Sequence, residues 1–300
     1  MLRGTYPSAQ RLAVLLYVVL WSSGFIPSRV LVHDVTPLWG AVIRLLLAGG
    51  ILVAWRLLCR DRWPERREWN AIVGIAVATN VVYLGLLYVA LRHLTSGMAA
   101  IIASTNPLML ALVAPRLLRE RLSLMQVCGL VLGFVGVVAI MASRAGASVD
   151  RVTDEAIALV SVSGLVASTV LFKRTTFVTS LPLITGLQLC IGAIAVLPIA
   201  FALEGAPRPE LHAGSWLALA YLVVVMSIGA SLLWFWLLER GEASRLSAYY
   251  YITPVLGLVL SRLLLKEPLR LWDIAGAAVV ALGIALVQRA PVARRGSDTG

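Results

Sequence analysis

The residues with chemical capability in this sequence lie inside apolar runs, where their presence needs a reason. Arg44 stands about eight residues into one run and Trp21 about nine into another. Thr79, Asn80 and Tyr83 share one helical face, and Ser227, Ser231 and Trp234 recur at spacings of four and three on a second. Asn106 precedes Pro107, and Tyr249, Tyr250 and Tyr251 run up to Thr253 and Pro254. Together these groups offer hydrogen-bond donors and acceptors, aromatic faces and one positive charge, which is the chemistry of recognition. Bond-making chemistry lacks its groups. None of the 15 Asp and Glu falls in the middle of an apolar run, the three histidines lie in connections, and no helix carries His-x-x-x-His, Asp-x-x-Asp or a Ser/His/Asp set. No catalytic residue, metal site or cofactor is therefore expected.

A central Arg in a membrane span costs roughly 2.5 to 3.5 kcal/mol on insertion scales, so Arg44 is expected to face protein or a water-filled cavity. Two readings stand: a gate or anion-facing residue, or an Arg tied to backbone carbonyls at a helix end. Arg29, within a turn of its helix end, snorkels. Pro107 and Pro254 predict helix kinks, because a mid-helix proline frees a carbonyl and is tolerated where polar neighbours or a cavity satisfy it. Trp21 is too deep for the interfacial belt that Trp55, Trp63, Trp69 and Trp272 fit. The candidate cavity set is thus Trp21, Asn80, Tyr83, Asn106, Ser227, Ser231, Trp234 and Tyr249 to Tyr251. Any single serine among them also suits small-residue packing or a bond to its own backbone.

The elements that must position these residues follow from composition. The 300 residues are 60% hydrophobic and 14% charged, with a mean hydropathy of +0.89, which excludes a water-soluble globule. The formal charge of +11 would suggest nucleic acid in a soluble protein; here the basic residues occupy gaps between apolar runs, so the expected partners are a lipid bilayer and a small-molecule substrate. Cys59, Cys128 and Cys190 show no metal-ligand spacing and read as packing residues.

Ten apolar runs of spanning length or close to it are predicted, at 12–32, 36–58, 69–91, 95–118, 122–142, 156–172, 181–203, 213–238, 243–265 and 269–288. The run at 156–172 is the shortest. Alternate connections and termini hold 17 Lys and Arg on one side against 7 on the other, placing both termini in the cytoplasm by the positive-inside rule, as expected for a multi-pass protein of the cytoplasmic membrane. Arg3 and Arg11 before 12–20 also suit a secretory signal peptide, a reading that would remove a helix with a counterpart in the second half.

That counterpart belongs to an internal repeat. A shift of 147 residues pairs Asn80 with Ser227, Tyr88 with Phe235, Pro107 with Pro254, Glu120 with Glu267, Gly129 with Gly276 and Gly136 with Gly283. The unit is five helices, 12–142 and 156–288, followed by a polar tail at 289–300 expected to be disordered and cytoplasmic. An odd number of crossings turns the second copy upside down. The fold expected is an all-α membrane protein of ten helices in two inverted repeats, an architecture of secondary transporters with their site between the copies. Duplication kept for packing alone is the alternative. Glu120 and Glu267 are expected in helix–helix turns, each near the start of the next helix.

With these residues in view, the sequence resembles the EamA-type branch of the drug/metabolite transporter superfamily over nearly its whole length. The resemblance is carried by Trp21-Ser22-Ser23-Gly24-Phe25, Pro37-Leu38 with Arg44, Asn106-Pro107-Leu108 through Arg119-Glu120-Arg121-Leu122, and Thr253-Pro254-Val255 with Lys266-Glu267-Pro268-Leu269. Gln188 falls near the second-half equivalent of Arg44, at an offset of 144, while Ser161 to Gly164 lack the tryptophan of the first copy. The resemblance implies a carrier that moves small metabolites, often outward, by alternating access. It also implies that Gly129, Gly133 and Gly136 lie outside the transport core, available for scaffold packing or a homodimer contact. An intramembrane enzyme and a channel are the competing classes; the first lacks acid–base groups at depth and the second a continuous polar pore.

Overall fold

The computed structural model describes residues 8–94, 96–120, 122–144, 149–207, 212–253, 255–256 and 271–289. Pro254, Glu267 and 290–300 of the tail lie outside the described residues. All regular structure described is helical. The first span is α1 (Ser8–Ser23) and α2 (Phe25–Asp34), broken at Gly24, and α3 (Pro37–Leu58) returns with Pro37 in its first turn. The third span starts as α4 (Arg66–Ala76), widens into nine residues of π-helix (Val77–Gly85) and ends as α5 (Leu86–Leu91). Then come α6 (Ser96–Ala103), α7 (Asn106–Leu117), α8 (Leu124–Arg144), α9 (Val149–Arg174) and α10 (Leu181–Glu204). The chain continues through α11 (Ala213–Tyr221), a second nine-residue π segment (Leu222–Ala230) and α12 (Ser231–Arg240). It closes with α13 (Ala243–Ser247), a 3-10 turn (Ala248–Tyr251) and α14 (Leu271–Arg289).

Six of these stretches are long and apolar enough to cross a bilayer: 12–34, 37–58, 66–91, 152–174, 181–204 and 213–240. Two shorter apolar stretches, Leu124–Ala139 and Ile274–Val287, accompany them. The run expected to be shortest belongs to the 26-residue α9, because the polar segment before it is helical too. The run at 95–118 is divided between α6 and α7 at residues 104 and 105, with Pro107 in the first turn of α7. There its missing N–H costs nothing, so it starts a helix rather than kinking one. The α1 helix is built into the core, with Val14, Tyr17 and Val18 each at most 3% exposed.

Glycines let the helices approach. A Cβ at Gly129 would sit 2.7 Å from the Gly283 carbonyl oxygen, and one at Gly136 2.8 Å from that of Gly276, so α8 and α14 lie antiparallel with their backbones nearly touching. Similarly, a Cβ at Gly49 of α3 would meet Gly186 and Cys190 of α10 at 2.7 to 2.9 Å. The glycine face considered for a homodimer is therefore covered by the chain's own α14.

Carboxylates tie the helix ends. Glu68, fully buried, accepts the backbone N–H of Val178 (2.6 Å) and Thr179 (3.2 Å) ahead of α10, as well as the Glu65 N–H of its own capping box. Glu204, at the end of α10, accepts the N–H of Leu38 and Trp39 at the start of α3, at 3.0 and 3.2 Å. Glu120 accepts the N–H of Ala243 (2.9 Å) and Ser244 (3.1 Å), so it caps α13 rather than the helix next in sequence. In the connection after α3, the Arg56 guanidinium beside Asp61 holds its carboxyl below the usual range, helped by the Ser180 hydroxyl. Backbone contact decides which glycines are replaceable. Gly129→Ala is expected to cost about 1 to 3 kcal/mol through overpacking. Gly50→Ala, whose Cβ meets nothing within 4 Å, is expected to gain about 0.5 to 1 kcal/mol. Thermal unfolding of both variants in detergent checks this, and equal midpoints would contradict the packing described.

Candidate functional site

Both π segments border one cavity, enclosing about 620 Å³ including its opening. Helix α1 contributes Tyr17 and Trp21, α3 contributes Arg44, and the first π segment Thr79, Asn80 and Tyr83. From later in the chain come Ser168 of α9, Gln188 of α10, Met226 and Ser227 of the second π segment, Ser231 and Trp234 of α12, and Tyr250. A smaller space of about 310 Å³ adjoins it, sharing Trp21, Arg44, Tyr83 and Met226 and reaching Gly24, Phe25 and Ser28. Met226 closes against the notch at Gly24, where a Cβ would lie 2.4 Å from its terminal methyl.

Arg44 is 8% exposed. Its Nε donates to the Ser227 hydroxyl at 2.7 Å and its Nη1 to the Tyr88 hydroxyl at 2.9 Å. The reading of an Arg tied to backbone carbonyls is replaced by an Arg held by two side chains at the cavity wall. On the opposite side Asn80 Nδ2 donates to the Gln188 Oε1 at 2.7 Å and to the Gln188 carbonyl at 2.9 Å. Gly192 makes room for that contact, since a Cβ there would lie 2.4 Å from Asn80. In the repeat expected from the sequence, the two bonds are reciprocal, Ser227 being the expected counterpart of Asn80 and Gln188 that of Arg44.

Aromatic rings form the rest of the wall. Tyr17 stacks on Trp234 with centroids 5.0 Å apart, Trp21 stacks on Tyr83 at 5.7 Å, and Tyr250 meets Trp21 edge-on at 5.3 Å. The Tyr17 and Tyr250 hydroxyls share a hydrogen bond of 2.5 Å that closes one end. Trp21 Nε1 and Thr79 Oγ1 are buried with no hydrogen-bond partner among the described residues. Among the described residues no carboxylate lines the chamber.

Of the residues singled out in the sequence, Trp21, Arg44, Asn80, Tyr83, Ser227, Ser231, Trp234 and Tyr250 are brought to this cavity. Tyr251 is not: its ring packs beside Gly133 and its hydroxyl donates to the Leu130 carbonyl at 3.0 Å, against α8. Tyr249 packs half-buried on the core. Consecutive residues of a 3-10 turn point about 120° apart, so one tyrosine of three faces the chamber. Asn106 is buried at the start of α7, outside the lining. Missed from the sequence were Tyr17, Tyr88, Met226 and the side-chain role of Gln188. Tyr17 stands four residues before Trp21 on one helical face, a signal that was readable; Tyr88 was visible only as a repeat partner.

Apolar spanning helices around a chamber lined by polar and aromatic side chains define a multi-pass membrane protein. The chain belongs to the EamA-like transporter family, which matches residues 10–142 and 155–289. It is 28% identical over 283 residues to the Uncharacterized transporter YvbV of Bacillus subtilis, covering 94% of this chain and 92% of that one. It is 23% identical to a protein of Salmonella typhimurium named Probable amino-acid metabolite efflux pump, covering 90% of this chain and 91% of that one. A protein of known crystal structure, 21% identical, matches its fold with a TM-score of 0.77 over 98% of this chain and 100% of that chain.

The reciprocal pair is open to a direct check. In a double-mutant cycle with Asn80→Ala and Gln188→Ala, the coupling energy is expected at about 0.6 to 1.7 kcal/mol, the range of interhelical hydrogen bonds in membranes. Unfolding of the four proteins in detergent reads it, and strictly additive losses would mean that the bond contributes nothing.

Proposed function

We propose that this EamA-type transporter is a secondary carrier that exports a small polar or amphipathic metabolite, such as an amino acid, across the cytoplasmic membrane by alternating access. In this reading ten helices form two inverted five-helix repeats, both termini are cytoplasmic, and the cavity at the seam is the substrate site. The observation that carries it is reciprocity. Gly129 abuts Gly283 while Gly136 abuts Gly276, and Arg44 bonds Ser227 while Asn80 bonds Gln188. Such exchange of partners is what two copies of one unit produce about a two-fold axis. The π segments at Val77–Gly85 and Leu222–Ala230 begin 145 residues apart, which supports the same relation. Carriers built from inverted repeats bind substrate near the midplane between them.

Trp21, Asn80, Tyr83, Ser227, Ser231, Trp234 and Tyr250 are the proposed substrate-binding residues, with Arg44 as the cavity charge. The name of the Salmonella relative, and the absence of carboxylates among the described lining residues, favour amino acids or weakly anionic metabolites over multicationic drugs. The partners proposed are the substrate and the bilayer, with no nucleic acid.

Purified protein in liposomes loaded with labelled amino acids is expected to release them faster than empty liposomes. Trp234→Ala and Asn80→Ala are each expected to reduce the flux by about tenfold or more, equivalent to at least about 1.4 kcal/mol, while inserting normally. Absence of flux for every metabolite class would defeat the carrier reading; single-channel currents in a planar bilayer would replace it with a channel.

A further inference from the structure

The charge inventory of the chamber narrows the ligand further than export of a metabolite requires, and this step rests on the carrier reading only for the ligand's route. Both described partners of Arg44 are neutral hydroxyls, those of Ser227 and Tyr88. They satisfy hydrogen-bond geometry but leave the positive charge uncompensated. Among the described residues no carboxylate stands within ion-pair distance of the guanidinium, and none lines the chamber. The repeat counterpart, Gln188, is neutral and committed to Asn80. A charge so deeply buried calls for an opposite one. Of the chamber's other unsatisfied atoms, Trp21 Nε1 can only donate, which suits an anion, while Thr79 Oγ1 can donate or accept.

We infer that Arg44 anchors an anion site whose occupant is a singly charged organic acid with a planar or apolar body. Its carboxylate pairs with the guanidinium, the side chain best suited to a planar carboxylate, and accepts from Trp21. Its body lies among the rings of Tyr83, Trp234 and Tyr250. A monoanion brings the chamber to neutrality. A zwitterion leaves it at one positive charge and an amine raises it to two; the rings can attract an ammonium group, but they carry no net charge to cancel it.

Phenylpyruvate, phenylalanine and phenethylamine share a benzyl body and differ in charge, so they separate these cases. Titrated calorimetrically into the full chain in detergent, phenylpyruvate is expected to bind about tenfold or more tightly than phenylalanine, and phenethylamine most weakly. R44Q is expected to weaken phenylpyruvate about ten- to a hundredfold, with R44K, which keeps the charge but loses the planar fork, weakening it less. The inference is overturned if phenylpyruvate does not bind, if either amine binds as tightly, or if R44Q binds phenylpyruvate like the unaltered protein. Should R44Q fail to fold, the charge series on the unaltered protein decides alone. Liposome flux separates this result from the carrier reading. Arg44-dependent binding without flux of any metabolite keeps the anion site and removes the carrier, whereas flux indifferent to ligand charge does the reverse.

Discussion

A bilayer gives a helix no partner for a polar side chain, so every such group in a span must be matched within the protein. Here the match is made between the two halves of the chain. Arg44 of α3 reaches Ser227, and Asn80 of the first π segment reaches Gln188 of α10, each bond spanning more than a hundred residues of sequence. Those bonds form only because the backbones come close. Gly49 admits α10 and Gly192 admits Asn80, while Gly164 lets α9 touch the first π segment, where a Cβ would lie 2.2 Å from the Ala78 carbonyl oxygen. Small residues set the distance, and the polar pairs then fix which residues meet across it.

The ends of the bundle are held differently. Glu68, Glu204 and Glu120 each accept backbone N–H groups from the other half, Glu68 just ahead of α10 and the other two in the first turns of α3 and α13, which would otherwise leave donors unpaired. A carboxylate on backbone donors is worth more than a neutral bond, about 1.5 to 3 kcal/mol against about 1. Charge-assisted links thus lie near the helix ends through carboxylates and at the chamber wall through Arg44, while the Asn80–Gln188 pair is neutral.

The sequence made this architecture legible where a simple period applied. Six of the cavity residues, Thr79, Asn80, Tyr83, Ser227, Ser231 and Trp234, followed from helical spacing, and Trp21 from its depth. Arg44 stood out because a charge in an apolar run is costly, and Gln188 was visible as its repeat partner. The residues were legible but the local backbone geometry that carries them was not. Nothing in Val77–Gly85 or Leu222–Ala230 announces a π segment, since π geometry is stabilised by surrounding packing and has no distinct residue signature. The tyrosine run was over-read for the same reason: a 3-10 turn sends Tyr250 to the chamber and Tyr251 to α8. The role of Glu120 was also hidden, because the helix it caps is distant in sequence and adjacent only in space.

The departures from exact repetition carry as much meaning as the repeat. Gln188 is shorter than an arginine and accepts from Asn80 where Arg44 donates to Ser227; it adds no charge, so the cost of burying an ion falls on Arg44. A second arginine at 188 would double the uncompensated charge and repel the first across a low-dielectric space, where such repulsion is strong. One cation, one neutral counterpart and a ring-lined space between them make the chamber electrically lopsided although its frame is built from similar parts. Under the proposed anion site, a ligand has a preferred direction, charge toward α3 and body toward the rings. In the proposed repeat, the paired parts supply the scaffold and a single unmatched residue the polarity.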